Sequence, residues 1–296
     1  MEEKLLEFEK HRAQVCKKAN IFLAIGLILS ILGIVLLVIF THPIFLILDI
    51  VGVIFIIVNG SMKSKLSIEF KDKFIIDLVK EVYPDSIYNP KSGIPLPQLM
   101  EPGLFMRPDR YHTEDYLQAS YDGVPFEMCD FEFKERRVST DGKGHTTTTY
   151  VTYAKGRFMI FDFKREFTQI LKVVENTYLG VTARGLEKVE TESVDFNKKF
   201  KTYSSDPLTA FYVLTPQIQL KLLELESKFK GSIYFAYMNG KMYVAIADGI
   251  SILNINASKK ISMNTYKMLE SQLILPASII NELGLSDAKY TDGESI

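Results

Sequence analysis

Two cysteines in 296 residues, Cys16 and Cys129, are too few for a disulfide framework. They also lack the C-x-x-C spacing of a zinc site, and both suit a reducing compartment. A surplus of one charge sign is missing as well. The formal net charge is −1, and the residues beyond the two apolar runs described below are equally balanced. A nucleic-acid binder would carry a basic stripe, so nucleic acid is not an expected partner. No G-x-x-x-x-G-K-[ST] or G-x-G-x-x-G loop cradles a phosphate, and no G-x-S-x-G elbow presents a serine. The four histidines, His11, His42, His112 and His145, stand far apart with no ligand companions. Neither a metal nor a cofactor is expected.

What the chain does hold is apolar length. Residues 21–40 read IFLAIGLILSILGIVLLVIF, twenty residues without a charge. As a helix they measure about 30 Å, the thickness of a bilayer's hydrocarbon core. Thr41, His42 and Pro43 interrupt the run. Residues 44–58 then form a shorter one whose single charge is Asp49. Two such helices joined by a three-residue turn make a transmembrane hairpin with both flanks on one side. Lys4, Lys10, Arg12, Lys17 and Lys18 precede it, Lys63, Lys65, Lys71 and Lys73 follow it, and the turn has no Lys or Arg. The positive-inside rule therefore places both termini in the cytoplasm of a multi-pass protein of the cell (inner) membrane. The first run is too long and too acidic in its approach for a signal peptide. Asp49 is the intramembrane polar candidate. A carboxylate in hydrocarbon is costly, so an ion path, a proton relay or an inter-helix contact is weighed against a tolerated position near the turn.

The expected organisation is a cytoplasmic N-terminal segment (1–19), the hairpin (20–61), an amphipathic helix with a proline-rich connector (62–115), and a cytoplasmic domain (116–296). Residues 66–83 carry apolar side chains at helical spacing. Six of the eleven prolines fall between Pro84 and Arg110, where an irregular connector is predicted. From Tyr116 the pattern turns extended. Asp122-Gly123 signals a turn, residues 124–133 form a strand whose alternation slips as at a bulge, and residues 147–163 form another, paired with it as a hairpin. Further strands are expected at 170–175, 186–191 and 209–214, and a helical turn at 193–200. Thr215-Pro216 opens a helix, Asn239-Gly240 joins a hairpin, and two helices divided at Pro276 precede a polar tail. The fold class is α+β: a transmembrane helical hairpin followed by mostly antiparallel sheet with flanking helices.

Polar chemistry is densest at Asp109, Arg110, His112, Glu114 and Asp115. Paired carboxylates beside an arginine and a histidine are able to run acid–base chemistry or hold a cation; surface ion pairs at the entry to the sheet explain them equally. Cys16 beside Lys17 and Lys18 sits where juxtamembrane acylation occurs. Lys198, Lys199 and Lys201 form a small basic patch that faces either anionic lipid or solvent.

In order behind the apolar runs come DRYHTEDY (109–116), KGRFMIFDF (155–163), ESVDFNKKFKTYSSDPLTAFYVLTP (192–216) and SIYFAYMNGKMYVAIA (232–247). Together these stretches resemble the bacterial membrane proteins grouped as domain-of-unknown-function family 3137. The resemblance implies a bacterial, inner-membrane protein and brings no catalytic residues. It also implies an envelope role beside LemA-like membrane proteins. Three functions remain open: a membrane-anchored scaffold or regulatory module binding a protein or lipid partner, an enzyme acting on a membrane-proximal substrate, and a subunit of a channel or transport assembly.

Overall fold

The computed structural model describes residues 2–162, 169–175, 180–251 and 253–286. Phe163 and most of the polar tail lie outside that set. The chain folds as two compact units, Met1–Leu78 with Leu253–Ser271, and Val79–Ile252 with Gln272–Ile296.

The first unit is built on two long helices. α1 runs unbroken over Glu2–Phe40, so the polar N-terminal segment and the first apolar run are one helix. A 3-10 turn at Pro43–Phe45, capped by His42 Nδ1 accepting the Ile44 N–H, reverses the chain into α2, Leu46–Phe70. A π-turn at Lys71–Ile75 leads into α3, Ile76–Val82. Both long helices are long and apolar enough to cross a membrane, and only 11% of each most apolar window is buried. That exposure separates them from the core helices of a soluble protein. Ile28, Ile31, Val38, Ile47, Ile50 and Ile57 all face outward.

The seam between α1 and α2 carries the small and polar residues instead. A Cβ on Gly26 would stand 2.7 Å from the Gly52 carbonyl oxygen, and a Cβ on Gly52 would overlap Ser30 Oγ. Small residues thus let the backbones touch, which is how helices associate where burial of apolar surface gives no drive. Asn59 closes the polar end by donating to the Ala19 carbonyl at 2.6 Å. Further along α1, Arg12 Nη1 (2.7 Å) and Cys16 Sγ (3.0 Å) both donate to the Ala257 carbonyl. Glu9 accepts the Ile261 N–H and pairs with Arg12. Cys16 is therefore a buried hydrogen-bonded thiol rather than an exposed acylation site.

Among the described residues the second unit holds a nine-stranded sheet in the order β1-β2-β3-β4-β9-β8-β5-β7-β6, antiparallel at every pairing. Its strands are β1 Ile87–Asn89, β2 Arg110–Tyr121, β3 Val124–Thr140, β4 Thr146–Asp162, β5 Leu171–Glu175, β6 Glu187–Val189, β7 Phe200–Ser204, β8 Ser232–Met238 and β9 Lys241–Ala247. With the helices described below, the class of the chain is α+β as expected. Two hairpins close on dipeptides that adopt positive φ at both residues, Asp122-Gly123 and Asn239-Gly240. That geometry matches the right-handed twist of the flanking strands. The core gathers Leu99, Phe105, Phe131, Phe133, Phe158, Tyr234 and Tyr243 from the connector and four strands.

Three expectations change. The connector is not wholly irregular, since β1 and the short helix α4, Leu96–Met100, lie within it. Residues 128–131 of β3 are buried on both faces and the β2 register shifts against them, so the slipped alternation marks a covered strand opposite a bulge that belongs to β2. That shift lies between Glu114↔Asp130 and Leu117↔Met128, with the extra residue on β2, and a second falls between Phe133↔Ala154 and Lys134↔Thr152, with the extra residue on β4. Finally, residues 209–214 are not a strand. They belong to α6, Pro207–Val213, because the Asp206 carboxylate accepts the Leu208 and Thr209 N–H groups and Pro207 fixes the first turn. α5, Val194–Lys199, is capped by Ser193, and α7, Pro216–Ser227, by Thr215. α8, Met263–Leu273, and α9, Leu275–Leu283, meet just before Pro276.

Candidate functional site

The shift in β2 decides what happens to the polar cluster at 109–115. A strand alternates its side chains between faces, so the five candidates are divided from the outset. Asp109 and Arg110 are exposed and turn toward the far end of the β3–β4 hairpin. Asp109 Oδ2 accepts the Arg136 N–H at 2.7 Å, and the Arg110 guanidinium lies 3.5 Å from the centre of the Tyr150 ring. His112 is exposed as well, at the mouth of a small cavity. Glu114 is half-buried and Asp115 is 2% exposed.

Asp115 is the strained member. It holds φ at +59° where the register slips, a left-handed conformation that Asp tolerates better than most residues. The irregularity turns its carboxyl inward, where Oδ1 accepts the Tyr88 hydroxyl at 2.5 Å. Burial, and then the charge of Asp115, raise the Tyr88 pKa, so the phenol stays a donor.

Three of the partners come from far along the chain. Glu114 faces Asp130 on β3, and Asp130 faces Arg157 on β4. Glu114, Asp115 and Asp130 bring one carboxylate oxygen each within 4.8 Å of one another. Arg157 is 4% exposed and forms an ion pair with Asp248, whose Oδ1 also accepts the Ile250 N–H. Loss of hydration lowers the Arg157 pKa, and Asp130 opposes that shift. The result is a string of charge across β2, β3 and β4 in which Arg157 adjoins Asp130 and Asp248, and Glu114 and Asp115 adjoin Asp130. The sequence marked its first two members. Asp130, Arg157, Asp248 and Tyr88 carried no motif, and strand register alone assembles them.

Chemically, three convergent carboxylates suit a hard cation or a shared proton. The adjoining cavity, lined by His112, Glu114, Asp130, Glu132, Lys155 and Ser251, measures about 20 Å³. That is about the room of one water molecule, and far below the several hundred Å³ of a small-molecule site. A larger cleft, about 490 Å³, lies in the first unit among Lys4, Glu7, His11, Glu69 and Lys73, over the rings of Phe8 and Phe74. Glu69 bonds Lys73 at 2.8 Å and approaches His11 Nε2 at 3.4 Å. The Lys73 bond, ahead of other influences, holds the Glu69 carboxyl below its usual range.

The remaining candidates fall apart in space. His42 caps the hairpin turn, and His145 pairs with Asp141 at the tip of the β3–β4 hairpin, 3.0 Å away. Cys129 is fully buried and its pKa is pushed up to about 12 by burial, so it is no nucleophile. Lys199 is held by Glu175 and Glu226, which dissolves the basic patch expected around it. Asp49 lies on the α1–α2 seam. Its Oδ1 is buried without a hydrogen-bond partner among the described residues, and a Cβ on Gly33 would come within 2.9 Å of it.

Comparison with known proteins gives a family match over part of the chain, without an activity. Residues 152–285 match the family described as "Protein of unknown function (DUF3137)", the family that the sequence resembles. No curated protein matches the chain. Among solved structures, the mycobacterial trehalose monomycolate transport factor A, TtfA, is similar with a TM-score of 0.38 and 7% identity. The likeness covers 67% of this chain and 90% of that one, and at that level it carries no argument.

Proposed function

For a chain whose residues 152–285 carry the DUF3137 segment, we propose a membrane-anchored scaffold or regulatory module that binds a protein or lipid partner at the cytoplasmic face. One observation carries this reading. α1 and α2 turn their isoleucines and valines outward and fold glycine, serine, asparagine and aspartate inward, the reverse of a soluble hairpin. Lipid is the medium in which that surface is satisfied. In this reading the hairpin spans the inner membrane, the turn at residues 41–43 faces out, and both termini lie in the cytoplasm. Support for a binding rather than a chemical role comes from the volumes. The acidic corner has room for about one water, whereas the mixed-charge cleft at the polar ends of α1 and α2 is of ligand-binding size. A LemA-like membrane protein is the partner that family analogy offers.

The test is a crosslinked pull-down of the full-length protein from native membranes, compared with a variant carrying Glu7→Ala, His11→Ala and Lys73→Ala in the cleft. A defined membrane partner recovered with the wild type and lost with the variant is the expected result. Equal recovery by both, or no partner at all, removes the scaffold reading. A second reading, a subunit of a channel or transport assembly, is favoured by Asp49 alone. Asp49→Asn abolishing a membrane conductance would support it, and an unchanged membrane phenotype would remove it. An enzymatic reading would require Asp130→Asn to abolish turnover by the purified protein.

A further inference from the structure

Beyond Lys134 and Thr152 the third and fourth strands leave the sheet together. β2 accompanies β3 only as far as Lys134, and β9 accompanies β4 only from Arg157 onward. Between those limits β3 and β4 pair with each other alone, from Lys134↔Thr152 to Thr140↔Thr146. This two-stranded arm extends for six residues past the sheet, about 20 Å at the rise of an antiparallel strand. Such a ribbon is marginal in water unless something covers it.

The direction of its backbone groups follows from the tip. Asp141 N–H donates to the His145 carbonyl, so that pair is a hydrogen-bonded one. Antiparallel pairs alternate, hence 140/146, 138/148 and 136/150 turn their N–H and C=O groups outward. The Arg136 N–H confirms this, since it meets the Asp109 carboxylate on the outer side of β3. Asp109 thus occupies one N–H of that edge, and Glu135, Arg136 and Arg137 charge the strand that bears it. On the β4 side the outward groups belong to Thr146, Thr148, Tyr150 and Thr152. None of them meets a backbone partner among the described residues, and the next outward carbonyl, Lys155, is taken by the Gly249 N–H.

Proteins blunt open edges with charges, prolines, bulges or short strands. Residues 146–152, TTTTYVT, show none of these, and the bulge at Tyr153, between Phe133↔Ala154 and Lys134↔Thr152, lies past their far end. The edge is long, uncharged and rich in strand formers, and Thr146 to Tyr150 are all exposed.

We propose that this edge is a homotypic interface, on which a second copy of the chain pairs antiparallel about a two-fold axis through Thr149. The symmetry argues for a second copy over another strand. The outward residues 146, 148, 150 and 152 are disposed evenly about 149, so each finds an outward residue of the partner and every open N–H and C=O is used. Thr148 then faces the partner's Tyr150, Thr147 faces the partner's Val151, and Thr146 faces the partner's Thr152. These are the aromatic–β-branched and threonine–threonine pairs that stabilise sheets, with no like charges opposed. The proposal stands independently of the membrane reading.

Crosslinking the full-length protein tests it, because Cys16 and Cys129 are both buried. At the axis two Thr149 residues form a non-hydrogen-bonded pair with Cα atoms about 4.5 Å apart, within the span of a disulfide. Thr149→Cys is expected to give a covalent dimer under mild oxidation. Thr147→Cys and Val151→Cys, each about 14 Å from its own copy, are expected to stay monomeric alone and to crosslink when mixed. Thr149→Lys, which opposes two ammonium groups, is expected to weaken dimerisation at least tenfold by analytical ultracentrifugation. A wild-type chain that sediments as a monomer at tens of micromolar overturns the proposal. So does equal crosslinking of all three single variants, or binding of an unrelated extended peptide to a monomeric chain.

Discussion

Replacing Arg157 with methionine tests whether charge, rather than shape, holds the centre of the sheet. Arg157 and Asp248 are 5% and 3% exposed at their side chains, and Glu114, Asp115 and Asp130 lie along the same string. Methionine keeps the length and the apolar stem but removes the guanidinium that pairs with Asp248 and adjoins Asp130. Removing one partner of a buried ion pair costs about 3–5 kcal/mol, because the other charge stays buried and uncompensated. For a chain of this size each kcal/mol corresponds to about 2–4 °C, so Tm should fall by about 6–20 °C. The pH dependence carries the sign. With the guanidinium gone, the buried carboxyl groups of Asp130 and Asp248 lose the neighbouring charge that favours their ionised forms. Their protonated forms favour folding, so the loss should be largest at pH 7–8 and shrink as pH falls toward 5. Urea unfolding of wild type, Arg157→Met and Arg157→Met with Asp248→Asn, followed by near-ultraviolet circular dichroism of the tyrosines at two pH values, measures both effects. The double variant should recover part of the loss. A cost under about 1 kcal/mol, or one that ignores pH, would refute the electrostatic account.

Other consequences are quicker to check. Gly26→Val places side-chain atoms against the Gly52 carbonyl and should loosen the α1–α2 hairpin by about 1–3 kcal/mol, read as faster proteolysis in detergent. Native protein at pH 8 should leave both thiols unreacted with a maleimide and yield two labels after denaturation, since Cys16 and Cys129 are buried. Early labelling of Cys129 would contradict the burial that raises its pKa to about 12. The Arg12 hydrogen bond, first among its influences, lowers the Glu9 pKa below 4.5. The stability it lends is present above the unfolded carboxyl value and is lost as pH falls through the lower, folded one. Glu9→Gln should therefore flatten the acid limb of unfolding below about pH 4.5, and an unchanged limb would count against the Glu9–Arg12–Ile261 contacts.

Much of the architecture was legible where one local rule dominates. Twenty uncharged residues predict a long apolar helix whatever surrounds them. Asp122-Gly123 and Asn239-Gly240 predict hairpins because few other dipeptides accept two positive φ angles. The reading failed where two rules compete. Residues 209–214, TAFYVL, are strand formers by composition, yet Asp206 and Pro207 ahead of them start a helix, and capping prevailed over propensity. β3 misled in another way, since alternation vanishes when both faces are covered. The acidic corner was half visible. Glu114 and Asp115 stood out in a polar run, whereas Asp130, Arg157 and Asp248 are scattered over more than a hundred residues, and only strand register brings them together. The open edge of β4 had no local signal either, because openness depends on where β9 stops.

The central claim is that the α1–α2 hairpin crosses a membrane and returns. The direct measurement is labelling with a membrane-impermeant maleimide of the full-length chain carrying either His42→Cys in the turn or Ser64→Cys beyond α2's apolar part, in intact and permeabilised cells. The buried native thiols contribute no background. The account predicts that position 42 labels in intact cells and position 64 only after permeabilisation. Labelling of both positions in intact cells, or of both only after permeabilisation, would contradict it.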